Sequence, residues 1–299
     1  MISIIGLGFV GGSMLKSFTL KGFEVKGYDK FKKSDSFEEC LESNIMFLAL
    51  PTIFNEETNT YDKTPMHEIC KKLVIHDYTG LVVIKSTVEP ETTKIFSELY
   101  KLNFIHNPEF LTAATAFEDF HNQKHIVLGK GPLITNEILA PLIEFYNKGY
   151  PTAEISICTS TESESMKSFV NCFYAAKVQF FNELYLLCQN MDCDYNTVRK
   201  LMLKNKWINP MHTNVPGTDG KLSYGGYCFP KDTNALLQFM KKKQTNHKVL
   251  EAVIKERNEM RSDNVNIKVK IDKHKRRSWT REEIIKELNL FKNKINDTY

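Results

Sequence analysis

Short apolar runs alternate with helix-like segments over about the first 150 residues. The runs are residues 2–6, 24–28, 45–50, 81–84, 104–105 and 126–128. The first helical stretch between them extends from Phe9 to Lys21. Strands alternating with helices predict an α/β unit, a doubly wound and mostly parallel sheet with helices on both faces.

The pattern changes near residue 160, where apolar residues recur at helical spacing without a strong helix breaker. These positions are Met166, Val170, Phe173, Val178, Phe181, Leu184 and Leu187. A segment of that length predicts a spine helix over 161–190 that joins the sheet to a helical domain.

Beyond the spine, a shorter helix is predicted over 196–204 and further helices over 230–240 and 247–260. Between them, residues 208–229 are rich in proline and glycine, which indicates a long loop. The predicted organisation has three parts: residues 1–157, residues 158–262, and a basic tail of residues 263–299 with one short helix.

Charge is unevenly distributed along the chain. The formal net charge is +4, but residues 241–299 carry 17 Lys and Arg against 9 Asp and Glu. Six of the ten residues in 268–277 are basic, a pattern that could bind phosphate. A solvated segment explains the same composition, and nucleic acid is not among the expected partners.

Composition narrows the class of protein. Hydrophobic residues make up 42% and charged residues 25% of the chain, as in ordinary globular proteins. The seven cysteines lack CxxC spacing, which favours a reducing compartment and predicts no metal site. Neither a secretory signal nor a membrane span is expected, so the predicted location is the cytoplasm.

The stretch GLGFVG, with Gly6, Gly8 and Gly11, follows the first predicted strand and opens a helix. Glycines there permit a tight turn and close approach of a pyrophosphate to a helix N-terminus. Asp29 ends the second strand, where a carboxylate accepts hydrogen bonds from an adenosine ribose. These features predict NAD as the cofactor, although lysines at 30, 32 and 33 weaken the distinction from NADP.

Several segments in order resemble the UDP-glucose/GDP-mannose dehydrogenase family. They are GLGFVG, IKSTVEPETT at 84–93, NPEFL at 107–111 with FEDF at 117–120, ESMKSFVNCFYAAKVQFFNEL at 164–184, and YGGYCFPKDTNAL at 224–236. The resemblance covers about residues 1–260. It implies a Rossmann-like NAD domain, a helical central domain and homodimerisation through the helix at 161–190.

The resemblance also implies oxidation of a primary alcohol to a carboxylate in two hydride transfers to NAD. An aldehyde becomes oxidisable once a nucleophile adds to it, and a thiolate provides this by forming a thiohemiacetal and then a thioester. Cys228 lies just before Pro230, a residue suited to a first helical turn, so its thiol is expected at a helix N-terminus.

Other roles follow from matched positions. Lys167 and Asn171, four residues apart on one helix face, would stabilise the developing alkoxide. Asp232 and Glu109 would orient water, with Thr87 in the same water network. The implied cofactor contacts are Gly6, Gly8, Phe9, Val10, Gly11, Asp29, Pro51 and Thr87. The implied substrate contacts are Glu109, Phe110, Leu111, Lys167, Asn171, Tyr224 and Gly225.

Each of these residues also has a structural interpretation. Asp232 near a helix N-terminus stabilises that helix without catalysis. Cys228 alone would be a small buried residue, and Glu109 a surface acid. Lys167 and Asn171 would belong to a solvated face.

The sequence departs from the family pattern in three places. The family usually continues into a second Rossmann-like domain that holds UDP, whereas 37 residues follow Ser262 here. Thr112-Ala113-Ala114 replaces the usual Arg-Glu-Gly after NPEFL. Tyr227 stands where the family usually has a small residue before the cysteine. These departures leave the substrate open.

Three hypotheses therefore remain. The first is a short nucleotide-sugar dehydrogenase that acts on a small-molecule substrate. The second is a dehydrogenase of the β-hydroxyacid type, which needs one hydride transfer and no cysteine. The third is a non-catalytic NAD-binding protein whose basic tail contacts nucleic acid.

Overall fold

The computed structural model describes residues 1–112 and 115–261. They form two compact units. Of the described residues, the first unit, the sheet unit, contains Met1–Ile53 and Asp62–Lys167, and the second, the helical unit, contains Phe54–Tyr61 and residues 168–261. The predicted basic tail and its helix lie outside the described residues, and the predicted domain boundaries stay a prediction.

Strands and helices alternate along most of the sheet unit, whereas helices predominate after residue 160. The strands are β1 (Ile2–Ile5), β2 (Val25–Tyr28), β3 (Ile45–Leu48), β4 (Phe54–Asn55), β5 (Thr60–Tyr61), β6 (Leu81–Ile84), β7 (Asn103–His106), β8 (His125–Lys130) and β9 (Glu154–Thr159). The helices are α1 (Phe9–Leu20), α2 (Phe37–Leu41), α3 (Thr64–Ile75), α4 (Thr92–Tyr100), α5 (Ala116–His121), α6 (Asn136–Gly149), α7 (Ser160–Asn190), α8 (Tyr195–Leu203), α9 (Phe229–Lys242) and α10 (Lys248–Met260).

The sheet unit is built on seven strands in the order β2-β1-β3-β6-β7-β8-β9. All neighbours are parallel except β7 and β8, which pair antiparallel through Ile105 and Lys130. The strand order reverses at β1, since β2 pairs with one of its edges and β3 with the other. The prediction of a mostly parallel, doubly wound sheet is confirmed.

Strands β3 and β6, at the centre of the sheet, are apolar and buried at every position. Phe47 of β3 packs into one core cluster, while its neighbours Met46 and Leu48 pack into another. Alternate residues of a strand point to opposite faces, so the two clusters lie on opposite sides of the sheet. Continuous apolar strands of this kind are typical of parallel sheets covered by helices.

The helical unit contains α7 from Ser168 onward, together with α8, α9 and α10. It also contains an antiparallel pair, β4 and β5, in which Phe54 pairs with Tyr61. These two residues form a small buried cluster with Ala235 of α9. Within residues 1–112 and 115–261, no helix combines the length and apolar character that a membrane crossing requires.

Candidate active site

The glycine loop of the sheet unit has the geometry that a pyrophosphate requires. Gly6 has φ +91°, a conformation that favours glycine. A Cβ on Gly11 would lie 1.9 Å from the Gly6 carbonyl oxygen, so only glycine fits there. At Gly8, which precedes α1, an added Cβ would meet no described heavy atom within 4 Å. The helix N-terminus is therefore open to an anion at Gly8, and the loop fits a dinucleotide.

Neighbouring parallel strands place the other predicted cofactor contacts at the same edge of the sheet. Asp29 follows β2, Pro51 follows β3 and Thr87 follows β6. Asp29 accepts hydrogen bonds from the backbone N–H groups of Leu7, at 2.8 Å, and Phe31, at 2.9 Å, which fix its carboxylate. Ligands of doubly wound sheets bind at the carboxyl ends of the strands where the order reverses, as it does at β1.

The first two residues of α1 differ in their surroundings. Phe9 is exposed, whereas Val10 is partly buried against the core. Lys32 donates to the Leu7 carbonyl oxygen, so one of the three lysines near Asp29 is bound to the glycine loop itself. That contact gives Lys32 a partner other than the Asp29 carboxylate.

Glu109 and Lys167 form an ion pair in the sheet unit. Glu109 follows β7, and its Oε1 lies 3.4 Å from Lys167 Nζ. Both side chains are nearly buried, with 12% and 6% of their surface exposed. Lys167 also donates to the Glu109 carbonyl oxygen, and Glu109 Oε2 accepts from the Leu111 N–H at 2.6 Å. Phe110 stays exposed, with Lys167 Nζ 5.3 Å from its ring centre.

Lys85 is a buried lysine that sequence reasoning missed. It lies at the carboxyl end of β6, and its Nζ donates to Asn107 Oδ1 at 3.0 Å and to the Pro108 carbonyl oxygen at 3.3 Å. Burial lowers the pKa of Lys85 to about 7, with Glu109 acting to raise it and Lys167 to lower it further. Lys85 therefore anchors the segment that carries Glu109.

In the helical unit, Cys228 lies where α9 begins. It is exposed and occupies the N-cap position, with Pro230 in the first turn. Its carbonyl oxygen accepts from the Asp232 N–H at 2.9 Å, which closes the first turn of the helix. The positive end of the helix dipole therefore lies at Cys228, an arrangement that favours a thiolate.

Asp232 is fully buried and its carboxylate has donors on both oxygens. Asn171 Nδ2 donates to Oδ2 at 2.6 Å. Lys231 Nζ and the Tyr61 hydroxyl both donate to Oδ1. Sequence reasoning identified Asn171 and Asp232 but missed Tyr61 and Lys231. Lys231 could have been noticed as the basic neighbour of Asp232, whereas no local signal joins Tyr61 to it.

The loop before Cys228 is tied to the end of α10. Arg257 Nε donates to the Tyr224 carbonyl oxygen at 3.2 Å, and Arg261 Nη1 donates to the Ser223 carbonyl oxygen at 3.2 Å. The Tyr224 side chain is buried, and an added Cβ on Gly225 would lie 2.5 Å from Arg261 Nη2. Tyr227, in contrast, is exposed beside the thiol.

Comparison with known proteins gives the same assignment in both parts of the chain. Residues 28–147 match the NAD binding domain of the UDP-glucose/GDP-mannose dehydrogenase family. Residues 161–259 match the central domain of the same family. The chain belongs to the UDP-glucose/GDP-mannose dehydrogenase family. Its sheet unit is therefore built to bind NAD.

Individual relatives support the same family assignment. A UDP-glucose 6-dehydrogenase of Rickettsia bellii is 31% identical over 230 residues, which cover 74% of this chain and 51% of that protein. The structure of a UDP-glucose dehydrogenase from Pyrobaculum islandicum superimposes with a TM-score of 0.77 at 25% identity, and covers 86% of this chain and 68% of that one. The chain thus spans about half the length of the curated relatives it matches.

A dehydrogenase of another kind shares the fold. The structure of Mycobacterium tuberculosis 3-hydroxyisobutyrate dehydrogenase superimposes with a TM-score of 0.66 at 13% identity, and covers 88% of this chain and 94% of that one. At such low identity the likeness concerns architecture alone. The family is decided by the two domain matches and by the sequence relatives.

Proposed function

We propose that this chain oxidises the primary alcohol of a nucleotide sugar to a carboxylate with NAD, in two successive hydride transfers. The observation that carries the proposal is Cys228 at the N-terminus of α9, one turn before the buried carboxylate Asp232. A single oxidation of an alcohol needs no thiol, whereas oxidation of an aldehyde to an acid uses one to make a thioester.

The glycine loop and Asp29 would hold NAD, the pyrophosphate at Gly8 and Gly11 and the adenosine ribose at Asp29. Phe9, Val10, Pro51 and Thr87 would complete the cofactor contacts. When bound, NAD supplies the acceptor for the hydride that leaves the substrate carbon. The chain's own residues must therefore stabilise the developing charge, supply the nucleophile and place the water.

In the first oxidation, the alcohol oxygen releases its proton to solvent water as its carbon loses a hydride. The Lys167 ammonium would stabilise the negative charge that develops on the oxygen, and the Asn171 amide would donate to the same oxygen. The pairing of Lys167 with Glu109 supports this role, since a nearly buried lysine held at a defined place is preorganised for an anion.

In the second oxidation, the Cys228 thiolate would add to the aldehyde carbon and form a C–S bond. The carbonyl oxygen becomes an alkoxide that takes a proton, giving a thiohemiacetal. Loss of that proton and of a second hydride leaves a thioester on Cys228. Water then attacks the thioester carbon, the C–S bond breaks, and the products are a carboxylate, the free thiol and a proton.

Water placement would fall to Asp232, Glu109 and Thr87. The two carboxylates are held by donors, Asp232 by three side chains and Glu109 by Lys167 and the Leu111 N–H. Phe110, Leu111, Tyr224 and Gly225 would line the substrate. We place this activity in the cytoplasm, since seven cysteines without the spacing of a disulfide framework suit a reducing compartment.

The proposed activity is tested by measuring the amount of NADH formed. The purified chain is supplied with NAD and a panel of UDP-sugars, GDP-mannose and small hydroxyacids, and NADH is measured per substrate consumed. Two NADH per substrate are expected with a nucleotide sugar. Cys228→Ser should retain NAD binding and release no acid.

A matched control replaces Cys193, which is exposed but lies between α7 and α8, with serine. It should leave the stoichiometry at two. One NADH from a hydroxyacid, unaffected by Cys228→Ser, would contradict the proposal and favour the single-step alternative. NAD binding without any turnover would favour a non-catalytic role.

We also propose that the chain forms a homodimer through α7. Four large apolar side chains of this helix are more than half exposed: Phe169, Phe173, Phe180 and Leu187. Their spacing of four, seven and seven residues places them on one stripe of the helix. A row of exposed apolar side chains marks an association surface. A second copy of the chain offers the same row across a twofold axis.

The dimer is tested by replacing Phe173 and Phe180 together with glutamate. Light scattering on a sizing column should show the mass of a dimer for the unchanged protein and half that mass for the variant. The control is Leu201→Glu, an equally exposed apolar position on α8. A monomeric mass for the unchanged protein at micromolar concentration would overturn this proposal.

A further inference from the structure

Tyr61 is held firmly although it lies on a very short strand. It pairs with Phe54 across the β4–β5 hairpin, and both pack against Ala235 of α9. Only 2% of Tyr61 is exposed. The hairpin therefore presents the tyrosine hydroxyl to α9 in one fixed position.

The hydroxyl of Tyr61 donates to Oδ1 of Asp232, the carboxylate one turn into α9. Asp232 is 0% exposed, so the loss of a donor leaves its carboxylate short of one hydrogen bond unless the neighbouring side chains rearrange. A buried carboxylate requires hydrogen-bond donors, and bonds to charged groups are the stronger ones. The bond from Tyr61 is therefore a structural requirement for a defined Asp232 side chain.

The same ring also places the second donor on Oδ1. Lys231 Nζ lies 4.7 Å from the ring centre of Tyr61 and contacts Asp232 Oδ1. A lysine ammonium at that distance is attracted to the face of the ring. Tyr61 thus acts on Asp232 directly, through its hydroxyl, and indirectly, through the position of Lys231.

The orientation passes on to Asn171. Its Nδ2 donates to Asp232 Oδ2 at 2.6 Å, which fixes the amide with its nitrogen toward Asp232. Asn171 is 7% exposed, so its side chain has little room for another orientation. Once Oδ1 is held by Tyr61 and Lys231, Oδ2 and the Asn171 amide have a single arrangement.

We infer that Tyr61 is a positioning residue for Asp232 and Asn171. The inference rests on the proposed function, in which Asp232 orients the water that cleaves the thioester on Cys228. Without the Tyr61 hydroxyl, the Asp232 carboxylate would rotate among several orientations that hold water less well. The rate of thioester hydrolysis would therefore fall by a larger factor than the affinity for either substrate.

The test compares the full chain with Tyr61→Phe, which removes only the hydroxyl. The matched control is Tyr195→Phe, since Tyr195 is also buried in the helical unit and donates to the Thr213 carbonyl oxygen at 2.7 Å. Three quantities are measured with a nucleotide sugar and NAD: kcat, the KM of each substrate, and the mass of the protein during turnover.

For Tyr61→Phe, kcat should fall by about tenfold or more, since a hydrogen bond to a buried charge is lost, while each KM changes less than about threefold. A covalent adduct on Cys228 should accumulate in Tyr61→Phe and stay undetected in Tyr195→Phe. A fold defect alone would lower kcat without adduct. Equal kcat and no adduct in both variants would overturn the inference.

An infrared measurement separates this inference from the proposed function. In protein labelled with ¹³C-aspartate, the carboxylate band of Asp232 is the one lost in Asp232→Asn. It should shift in Tyr61→Phe and not in Tyr195→Phe. If the unchanged chain makes no NADH, the proposed function fails, and a shifted band still supports Tyr61 as the residue that positions Asp232. An unshifted band overturns the inference whatever the activity.

Discussion

Lys85 allows the effect of a buried lysine on the stability of the sheet unit to be measured directly. Its side chain is 2% exposed and its Nζ donates to Asn107 and Pro108. Burial lowers the pKa of Lys85 to about 7, against 10.5 for an exposed lysine. The perturbation is Lys85→Met, which keeps the length of the side chain and removes the charge.

The magnitude follows from that pKa. The unfolded chain holds the proton up to pH 10.5 and the folded chain up to about 7. Between these values the unfolded state binds more protons, so the contribution of Lys85 to stability rises with pH. The gain is about 2 kcal/mol between pH 7 and pH 9, and the full shift corresponds to about 5 kcal/mol. Lys85→Met lacks this rise, so its stability relative to the unchanged protein should fall by about 2 kcal/mol over the same interval.

The assay must report the sheet unit alone. Cys40 and Cys70 are buried in its core, so a brief pulse of a thiol reagent in urea labels them only where that unit has opened. Urea titrations at pH 7, 8 and 9 then give the free energy of opening. The surface control is Lys94→Met on α4. A difference between Lys85→Met and the unchanged protein that stays constant from pH 7 to 9 would contradict a lowered pKa for Lys85.

Two further predictions concern the sheet unit. Glu164 is fully buried, its Oε1 accepts from the Thr93 N–H at 2.7 Å, and burial raises its pKa from 4.5 to about 7. The favourable contribution of Glu164 to stability is therefore complete below pH 4.5 and is lost as the pH rises through 7. Between pH 5 and 8, the stability of Glu164→Gln relative to the unchanged protein should therefore rise by about 2–3 kcal/mol in the same urea assay. Gly11→Ala should unfold the loop, because its Cβ would meet the Gly6 carbonyl oxygen at 1.9 Å, whereas Gly8→Ala should melt normally in circular dichroism. Calorimetry should nevertheless show weaker NAD binding for Gly8→Ala, and unchanged affinity would contradict an anion site at Gly8.

Much of the sheet unit was predictable because its signals are local. The apolar run before Gly6, the glycine spacing and Asp29 lie within 30 residues and predict strand, turn, helix and strand in order. The long helix α7 was equally predictable, since apolar residues recur at helical spacing from Met166 to Leu187. Such patterns depend on near neighbours in the sequence, and these keep their relation in any fold.

The parts that were missed depend on distant neighbours. The β4–β5 hairpin has two residues in each strand, too few for an alternating pattern. Nothing near Tyr61 indicates that its partner is Asp232, 171 residues away. The burial of Lys85 is likewise set by Phe120 and Asn107, which approach it only in the folded sheet. Charged residues are ordinarily exposed, so the default expectation for Lys85 was a surface position.

The distance along the chain between Tyr61 and Asp232 also has a consequence during synthesis. At about 5–20 residues per second, the ribosome makes Asp232 roughly 10–35 seconds after Tyr61. In that interval the hairpin has no α9 to cover Phe54 and Tyr61, while the strands on either side of it can already pair. Phe54 and Tyr61 therefore remain uncovered in the newly made chain until α9 has been synthesised.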